Sequence, residues 1–469
     1  MSDLDLANLS IPRVARALRD KELSALELTE AYLRRIEALN PRVNAYVTVT
    51  AERARDDARR ADAELAVGRD RGLLHGIPIG HKDLYETAGI RTTGGGKFHA
   101  SHVPSADCTV ARKLREAGTV LLGKLNTHEY AYGATTTNPH YGATRNPWDL
   151  ARIPAGSSGG SGAAIAAGLA TATTGTDTGG SIRMPASVCG VVGLKPTYGR
   201  VSKQGVLPLS YAFDHAGPIV RTVEDAALVL NAIAGYDAAD ATTARIPSED
   251  YGAQLGAGVR GLRVGVPREW FFERCDEEVA AGVEAALAEL RRLGADVRDV
   301  ALPGVAEGVG AIFGFVLAEA QEIHAANLKA RPQDFGADVR AILQSPAPSG
   351  PALMTALRAR DALIVAARQA LEQVDVLVTP TTPIPAARIG EEITRVASED
   401  MPVLAAMIRC TAPFNATRLP ALSLPCGFTR AGLPIGLQIA GRPFDEATVL
   451  RVGHAYEQAT DWHRRVPAL

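Results

Sequence analysis

Two serine-bearing, glycine-rich stretches stand close together in the middle of the chain: Gly156-Ser157-Ser158-Gly159-Gly160-Ser161-Gly162 and Gly175-Thr176-Asp177-Thr178-Gly179-Gly180-Ser181-Ile182-Arg183. Glycine lacks the Cβ that would hold a ligand away from the backbone, so such segments bring N–H groups and hydroxyls up to a bound carbonyl. Acyl transfer requires that arrangement. Ser181, preceded by two glycines, is the candidate nucleophile, and the amides around it are candidates for an oxyanion hole.

A serine hydroxyl needs a base at neutral pH. Of the ten histidines, His81, His99, His102, His128, His140 and His215 lie near the central block, and none stands in a recognisable triad motif. Lysine is the second route, because burial lowers its pKa by up to several units. Lys82 follows Gly76-Ile77-Pro78-Ile79-Gly80-His81, a short apolar run that reads as a buried strand delivering the lysine inward.

Each element also has a plainer reading. A lone glycine-rich stretch is most often a turn before a helix, and Gly159 to Gly168 runs into the helix-forming Ala163-Ala164-Ile165-Ala166-Ala167. Gly156-Ser157-Ser158-Gly159-Gly160 also fits a nucleophile elbow centred on Ser158, but Pro147 and Pro154 break the strand that motif needs. A dinucleotide fingerprint fails at Ile165, and no phosphate loop follows. Lys82 alone reads as a solvated or salt-bridged lysine next to Asp83, and only its conjunction with the serine motifs reverses that. Asp177 and Arg183 flank the nucleophile and read as a pair that braces the loop; Cys189 reads as a small packed residue. His99-x-x-His102 is too short for a zinc site. The expectation is no metal and no cofactor.

Taken together, Gly80-His81-Lys82-Asp83, the Gly-Ser-Ser-Gly-Gly-Ser run and Gly-Thr-Asp-Thr-Gly-Gly-Ser-Ile-Arg, continuing into Cys189-Gly190-Val191-Val192-Gly193-Leu194-Lys195-Pro196-Thr197, resemble the amidase signature family. The three motifs come in that family's order, and the likeness extends from the helical N-terminus to Pro434-Ile435-Gly436-Leu437-Gln438-Ile439. The resemblance implies a Ser-cisSer-Lys triad: Lys82 as base, Ser157 as the bridging serine on a cis peptide bond, Ser181 as nucleophile, and Ser158 in support. It also implies that the amides of Thr178, Gly179, Gly180 and Ser181 stabilise the oxyanion. Neutral Lys82 then draws the proton of Ser157, Ser157 takes that of Ser181, and Ser181 forms an acyl-enzyme that water hydrolyses.

Composition agrees with an enzyme of this kind. The 469 residues, 46% of them hydrophobic, with a net charge of −2, are enough for a globular protein with an ample core. The balanced charge offers no basic patch for nucleic acid, and no apolar run approaches a membrane span. Met1-Ser2-Asp3-Leu4-Asp5 lacks the features of a signal peptide, and the scattered Cys108, Cys189, Cys275, Cys410 and Cys426 form no disulfide framework. A cytoplasmic location is the expectation.

The elements that must position these residues alternate in type. Ser24-x-x-Glu27 reads as a capping box, with Tyr32, Leu33, Ile36 and Leu39 on one helical face. Val279, Val283, Leu287 and Leu290 mark a helix between strands at Leu262 to Val266 and Ala295 to Val300, and Val374 to Val378 adds a buried strand. The class is α/β, and the resemblance sharpens it to a single large mixed β-sheet between layers of α-helices. We expect one amidase domain over 1–469: a helical region at 1–70, the signature core at 71–235, and at 236–469 the rest of the sheet with the pocket helices. Asp237 to Gly261 then serves as a surface connection.

The segments Tyr130 to Tyr141 and Ala311 to Leu343 are expected to shape the pocket, and Phe313, Phe315, Val316, Leu317 and Ile323 suggest an apolar wall. Such a wall would suit an aryl or alkyl amide, although an apolar helix face is more often core; the expectation is a stand-alone amidase for a carboxylic amide, with aryl amides, esters and carbamates (urethanase-like) as further substrates. No nucleic-acid or membrane partner is expected, and a homodimer is compatible. The rival within the resemblance is the glutaminase A subunit of a tRNA-dependent amidotransferase. Met184, where that rival has glutamine, and Ala212-Phe213-Asp214-His215, where a Leu-Asp-Gln run is expected, count against it. A rival of another class is a non-catalytic binding protein that has kept the fold.

Overall fold

The computed structural model describes residues 5–469; Met1 to Leu4, part of the segment read for a signal peptide, lie outside them. Its centre is a sheet of eleven strands: β1 (Tyr46–Val49), β2 (Pro78–Lys82), β3 (Val120–Leu125), β4 (Ala172–Asp177), β5 (Val192–Lys195), β6 (His215–Val220), β7 (Arg263–Val266), β8 (Asp296–Asp299), β9 (Val376–Pro380), β10 (Ala421–Phe428) and β11 (Pro434–Gly441). Their spatial order is β1-β3-β2-β4-β6-β5-β10-β11-β9-β7-β8. The β3-β2-β4 and β9-β7-β8 runs are parallel, and the remaining neighbours are antiparallel. This is the large mixed sheet of an α/β protein.

Every residue of β2, β3, β4 and β6 is buried, because helices cover both faces of the sheet there. On one such helix, Ala25–Val43, the Ser24 hydroxyl accepts from the Glu27 amide at 3.1 Å and the Glu27 carboxylate accepts from the Ser24 amide at 2.9 Å. That reciprocal cap fixes where the helix starts, and Tyr32, Leu33 and Ile36 then point into the core. The helix Glu277–Arg292 likewise buries Val279, Val283, Leu287 and Leu290 between the parallel strands β7 and β8. Among the described residues no helix is long and apolar enough to cross a membrane.

Two features of this frame position the site. Strand β2 ends at Lys82, beside β4, whose last residues lead into the glycine turn at 178–181 and then the helix Arg183–Cys189. That helix packs on β10 and β11, so its N-terminal turn is held between the two halves of the sheet.

Candidate active site

Lys82 is fully buried, and its Nζ donates to Ser157 Oγ at 2.7 Å and to Thr176 Oγ1 at 2.7 Å. Neither partner is charged. Two other lysines are equally buried but differently satisfied: Lys124 faces Asp83 at 3.5 Å and donates to the Tyr85 carbonyl and the Thr92 hydroxyl, whereas Lys195 donates to the carbonyls of Leu419 and Pro196. Asp83 thus pairs with Lys124 and leaves Lys82 with hydroxyls alone. Burial lowers the Lys82 pKa to about 7, with Asp214 and Asp177 pulling it back up. A large fraction of this amine is therefore neutral at physiological pH, which is what a base requires.

Ser157 follows a cis peptide bond from Gly156. Its carbonyl is held by the amide of His128 at 3.1 Å and the hydroxyls of Thr127 and Thr136 at 3.0 and 3.2 Å. Gly156 has no room for a side chain, since a Cβ there would lie 2.8 Å from the Thr135 amide nitrogen. Ser158 braces β4, accepting from the Thr176 amide and donating to its carbonyl, each at 3.2 Å. The Ser158 amide donates to the Ser181 carbonyl at 3.3 Å, which ties the two glycine-rich segments together.

Ser181 is 6% exposed and borders a cavity of about 220 Å³. Among the described residues its hydroxyl makes no hydrogen bond to protein, and the amides of Thr178, Gly179, Gly180 and Ser181 likewise donate to no protein acceptor. Four consecutive N–H groups thus lack a protein partner, and Thr178, Gly179 and Ser181 line the cavity. Gly180, at φ 138°, adopts a conformation that excludes other residues, and a Cβ on it would overlap Thr411 Oγ1.

Behind the turn Asp177 and Arg183 form a fully buried, two-pronged ion pair, Nε to Oδ2 at 3.0 Å and Nη2 to Oδ1 at 2.8 Å. The rest of the guanidinium is saturated by the Thr411 carbonyl, Gln438 Oε1 and Asn415 Oδ1 at 2.9, 2.7 and 2.6 Å. Burial by itself would raise the Asp177 carboxyl, but Arg183 and its neighbours hold it well below the usual carboxylate range. Cys189 is buried, and burial pushes its thiol up, so it packs as an apolar side chain.

The cavity wall draws Ala131, Tyr132, Gly133 and Ala134 from one of the segments singled out by sequence and Ile312, Phe313, Val316 and Ile342 from the other. Tyr130 and Ala131 are both left-handed, at φ 47° and 62°, at the start of the segment that lines the cavity. Met184 and Leu209 also line it, as do Leu404 and Ile408, which sequence reasoning missed because nothing local distinguishes them from core residues. A second cavity of about 630 Å³ shares Tyr132, Gly133, Ala134, Ile342 and Leu404 with the first and adds His128, Asp338, Arg388, Glu391 and Glu392. Among the described residues no group of three or more His, Cys, Asp and Glu could hold a metal ion.

Comparison with known proteins places this geometry. The Amidase family is matched over residues 27–450. The chain belongs to the amidase family. Amide-bond cleavage is the chemistry of enzymes of this family. It is 44% identical to the A subunit of the glutamyl-tRNA(Gln) amidotransferase of Geotalea daltonii, over 99% of this chain and 100% of that one. Among solved structures it superposes on the corresponding protein from Thermotoga maritima, with a TM-score of 0.80, 35% identity and coverage of 97% and 96%. It also superposes on a protein from a vestigial complex that reveals the origins of an s-triazine catabolic enzyme, with a TM-score of 0.91, 35% identity and coverage of 96% and 98%.

These relatives overturn the expectation of a stand-alone amidase for small amides or carbamates. They equally overturn the expected partners, a small-molecule substrate alone, no nucleic acid and a homodimer, because the relatives' named activity belongs to one subunit of an amidotransferase for a charged tRNA. The expectation leans on Met184 and on Ala212 to His215. A few residues near one cavity alter local contacts, whereas 44% identity over 99% of the chain reports on the whole scaffold and its surfaces.

Proposed function

We propose that this amidase is the glutamine-hydrolysing A subunit of an amidotransferase that acts on glutamyl-tRNA(Gln), with Ser181 as nucleophile. The full-length match to proteins of that name carries the reading. Neutral Lys82 accepts the proton of Ser157, Ser157 accepts that of Ser181, and the Ser181 oxygen attacks the γ-carboxamide carbon of glutamine. The relay needs the Ser181 hydroxyl to turn toward Ser157, an adjustment of the kind that commonly accompanies substrate binding. The negative charge that develops on the carbonyl oxygen meets the free amides of residues 178–181. The proton returns along the relay to the leaving nitrogen, ammonia departs to the partner protein, and water repeats the sequence on the acyl-enzyme to release glutamate.

The apolar wall suits the two methylenes of glutamine, and the adjoining cavity offers the Asp338, Glu391 and Glu392 carboxylates and the Arg388 guanidinium to its zwitterionic end. Single-domain organisation over 1–469 and a cytoplasmic location fit this role, as do five unpaired, buried cysteines. The test is ammonia release from glutamine by the purified chain, alone and with the remaining subunits of its host's amidotransferase and glutamyl-tRNA(Gln). Release that depends on the partners and is lost in Ser181→Ala is the expected result. No release in either setting from a chain whose Ser181 still reacts with a fluorophosphonate overturns glutamine as substrate.

A further inference from the structure

The run Ala212-Phe213-Asp214-His215 takes no part in the relay described above, yet Asp214 sits at a junction of the site. It is buried, and no arginine, lysine or histidine lies within ion-pair distance of it among the described residues. Its Oδ1 accepts the Thr178 hydroxyl at 2.5 Å, and its Oδ2 accepts the amides of Leu209 and Ser210 at 2.9 and 3.0 Å. Thr178 begins the glycine turn that bears the free amides, and Leu209 lines the cavity. The same loop is gripped from its other side: Glu319 accepts the Ser210 hydroxyl and, at 3.2 Å, the Ala212 amide. Glu319 lies on the helix Val305–Ala330, whose Ile312, Phe313 and Val316 form the cavity's apolar wall. A continuous set of hydrogen bonds therefore runs from the pocket helix through the 209–214 loop to the turn beside Ser181.

A carboxylate in such a place has a cost that something must offset. Burial raises its pKa, and the Thr178 hydroxyl and the two amides work against that rise. Charged and titratable groups facing it are Lys203, Tyr211 and His215, which share with it a small cavity that also touches Thr176, Glu319 across the loop, and Lys82, Tyr85 and Tyr198, on which its charge acts. Its negative charge is the foremost of those that favour the charged form of Lys82. A purely apolar loop anchor would do neither of these things.

We infer that Asp214 is a positioning residue for acyl transfer: it clamps Thr178 to the 209–214 loop and so keeps the amides of the glycine turn facing the cavity as the substrate carbonyl becomes tetrahedral. The inference rests on the reading of Ser181 as nucleophile. A fluorophosphonate of graded concentration separates binding of the probe from the rate of covalent attachment to Ser181, and Asp214→Asn keeps the size of the side chain while removing one acceptor and the charge. Attachment slows about tenfold or more with probe affinity unchanged, as expected for loss of oxyanion-hole alignment. The acid limb of the attachment rate also moves to lower pH, because a charge that favours protonated Lys82 is gone, and a merely structural role would not move it.

Should Asp214→Asn not fold, Thr178→Val and Thr178→Ser carry the same test: Val removes the hydroxyl at constant size and slows attachment, and Ser restores the bond and the rate. Attachment at the wild-type rate with an unmoved acid limb in Asp214→Asn, or at equal rates in both Thr178 variants, overturns the clamp. A wild-type chain that takes no probe on Ser181 overturns instead the nucleophile on which it rests.

Discussion

The Thr411 hydroxyl donates to the Gly179 carbonyl at 2.6 Å. In a trans peptide the carbonyl and the following N–H point in opposite directions, so a bond that draws the Gly179 oxygen toward Thr411 turns the Gly180 N–H the other way. Thr411 also occupies the space a Gly180 side chain would need, and its own carbonyl accepts from Arg183 Nη1 at 2.9 Å. One residue 232 positions downstream of Gly179 thus fixes which face of the glycine turn presents its amides.

Thr411→Val keeps the shape of that side chain and removes the bond. Acylation of Ser181 by an activated ester should fall by about tenfold, somewhat less than removal of a whole oxyanion donor costs, with the thermal midpoint little changed. Gly180→Ala should abolish acylation, since its φ of 138° and the close approach of Thr411 Oγ1 both forbid a Cβ. An active, normally folded Gly180→Ala enzyme would show that the turn does not serve catalysis in this conformation.

Lys82→Met tests the base. Methionine fills the same buried space without a charge, and burying an amine costs free energy that the hydroxyls of Ser157 and Thr176 only partly offset. Labelling of Ser181 should fall at least a hundredfold while the thermal midpoint stays level or rises. A variant that still labels at the wild-type rate would remove Lys82 from the relay.

The sheet is legible in the sequence because its signals are local. Alternating apolar runs, the capping box at Ser24 and the strand-helix-strand unit around Val279 to Leu290 each declare themselves within a few residues, and the structure has them in those places. Lys82 can be read the same way, from the glycine-flanked apolar run before it. The sequence does not reveal, however, that Asp83 turns away to Lys124, or that Lys195 is equally buried and yet bound to carbonyls. Thr411, Asn415 and Gln438, which complete the surroundings of Arg183, come from a distant part of the chain and carry no motif; only the placing of β10 and β11 beside the helix Arg183–Cys189 brings them in. The pocket's Leu404 and Ile408 escape for the same reason. Met184 and the loop at 212–215 point to the wrong relatives, because Met184 lines one cavity and Asp214 and His215 a smaller neighbouring one, so they report on local contacts, whereas the relatives match along the whole chain.

With Lys82 as the proposed base, its protonation sets the pH dependence of acylation. Only its neutral form accepts a proton, and burial brings its pKa to about 7, so the rate falls as pH drops through that value. Between pH 8 and pH 6 the neutral fraction, and with it the labelling rate, drops about tenfold. Burial lowers His81 to about 3 and His215 well below its ordinary value, so neither titrates in this window. Asp225 and Glu457, raised by burial to about 7 and about 8, do titrate there, but they bind the amides of Ile11 and Val223 and lie outside the cavity, and thermal midpoints over the same range separate their effect from that of Lys82. A flat profile between pH 8 and pH 6 would contradict a lysine base.

Arg183→Met should be the most destabilising of these changes, because it strands the Asp177 carboxylate in a fully buried position and leaves Asn415 Oδ1 and Gln438 Oε1 without their donor. Breaking a buried pair by removing one partner costs about 3–5 kcal/mol. The pH dependence gives this loss a signature. In the wild type the Asp177 carboxyl is held below its ordinary 3.8, so its contribution is complete above that value and is lost only as pH falls further. In the variant, burial without the arginine raises that carboxyl, so a proton neutralises it under milder acid. The stability gap between the two proteins, measured by urea unfolding, should therefore be widest near neutral pH and narrower at pH 5. A gap that is constant with pH would mean that the cost of Arg183→Met comes from lost packing and hydrogen bonds, and that the charge of Asp177 is not what Arg183 is there to balance.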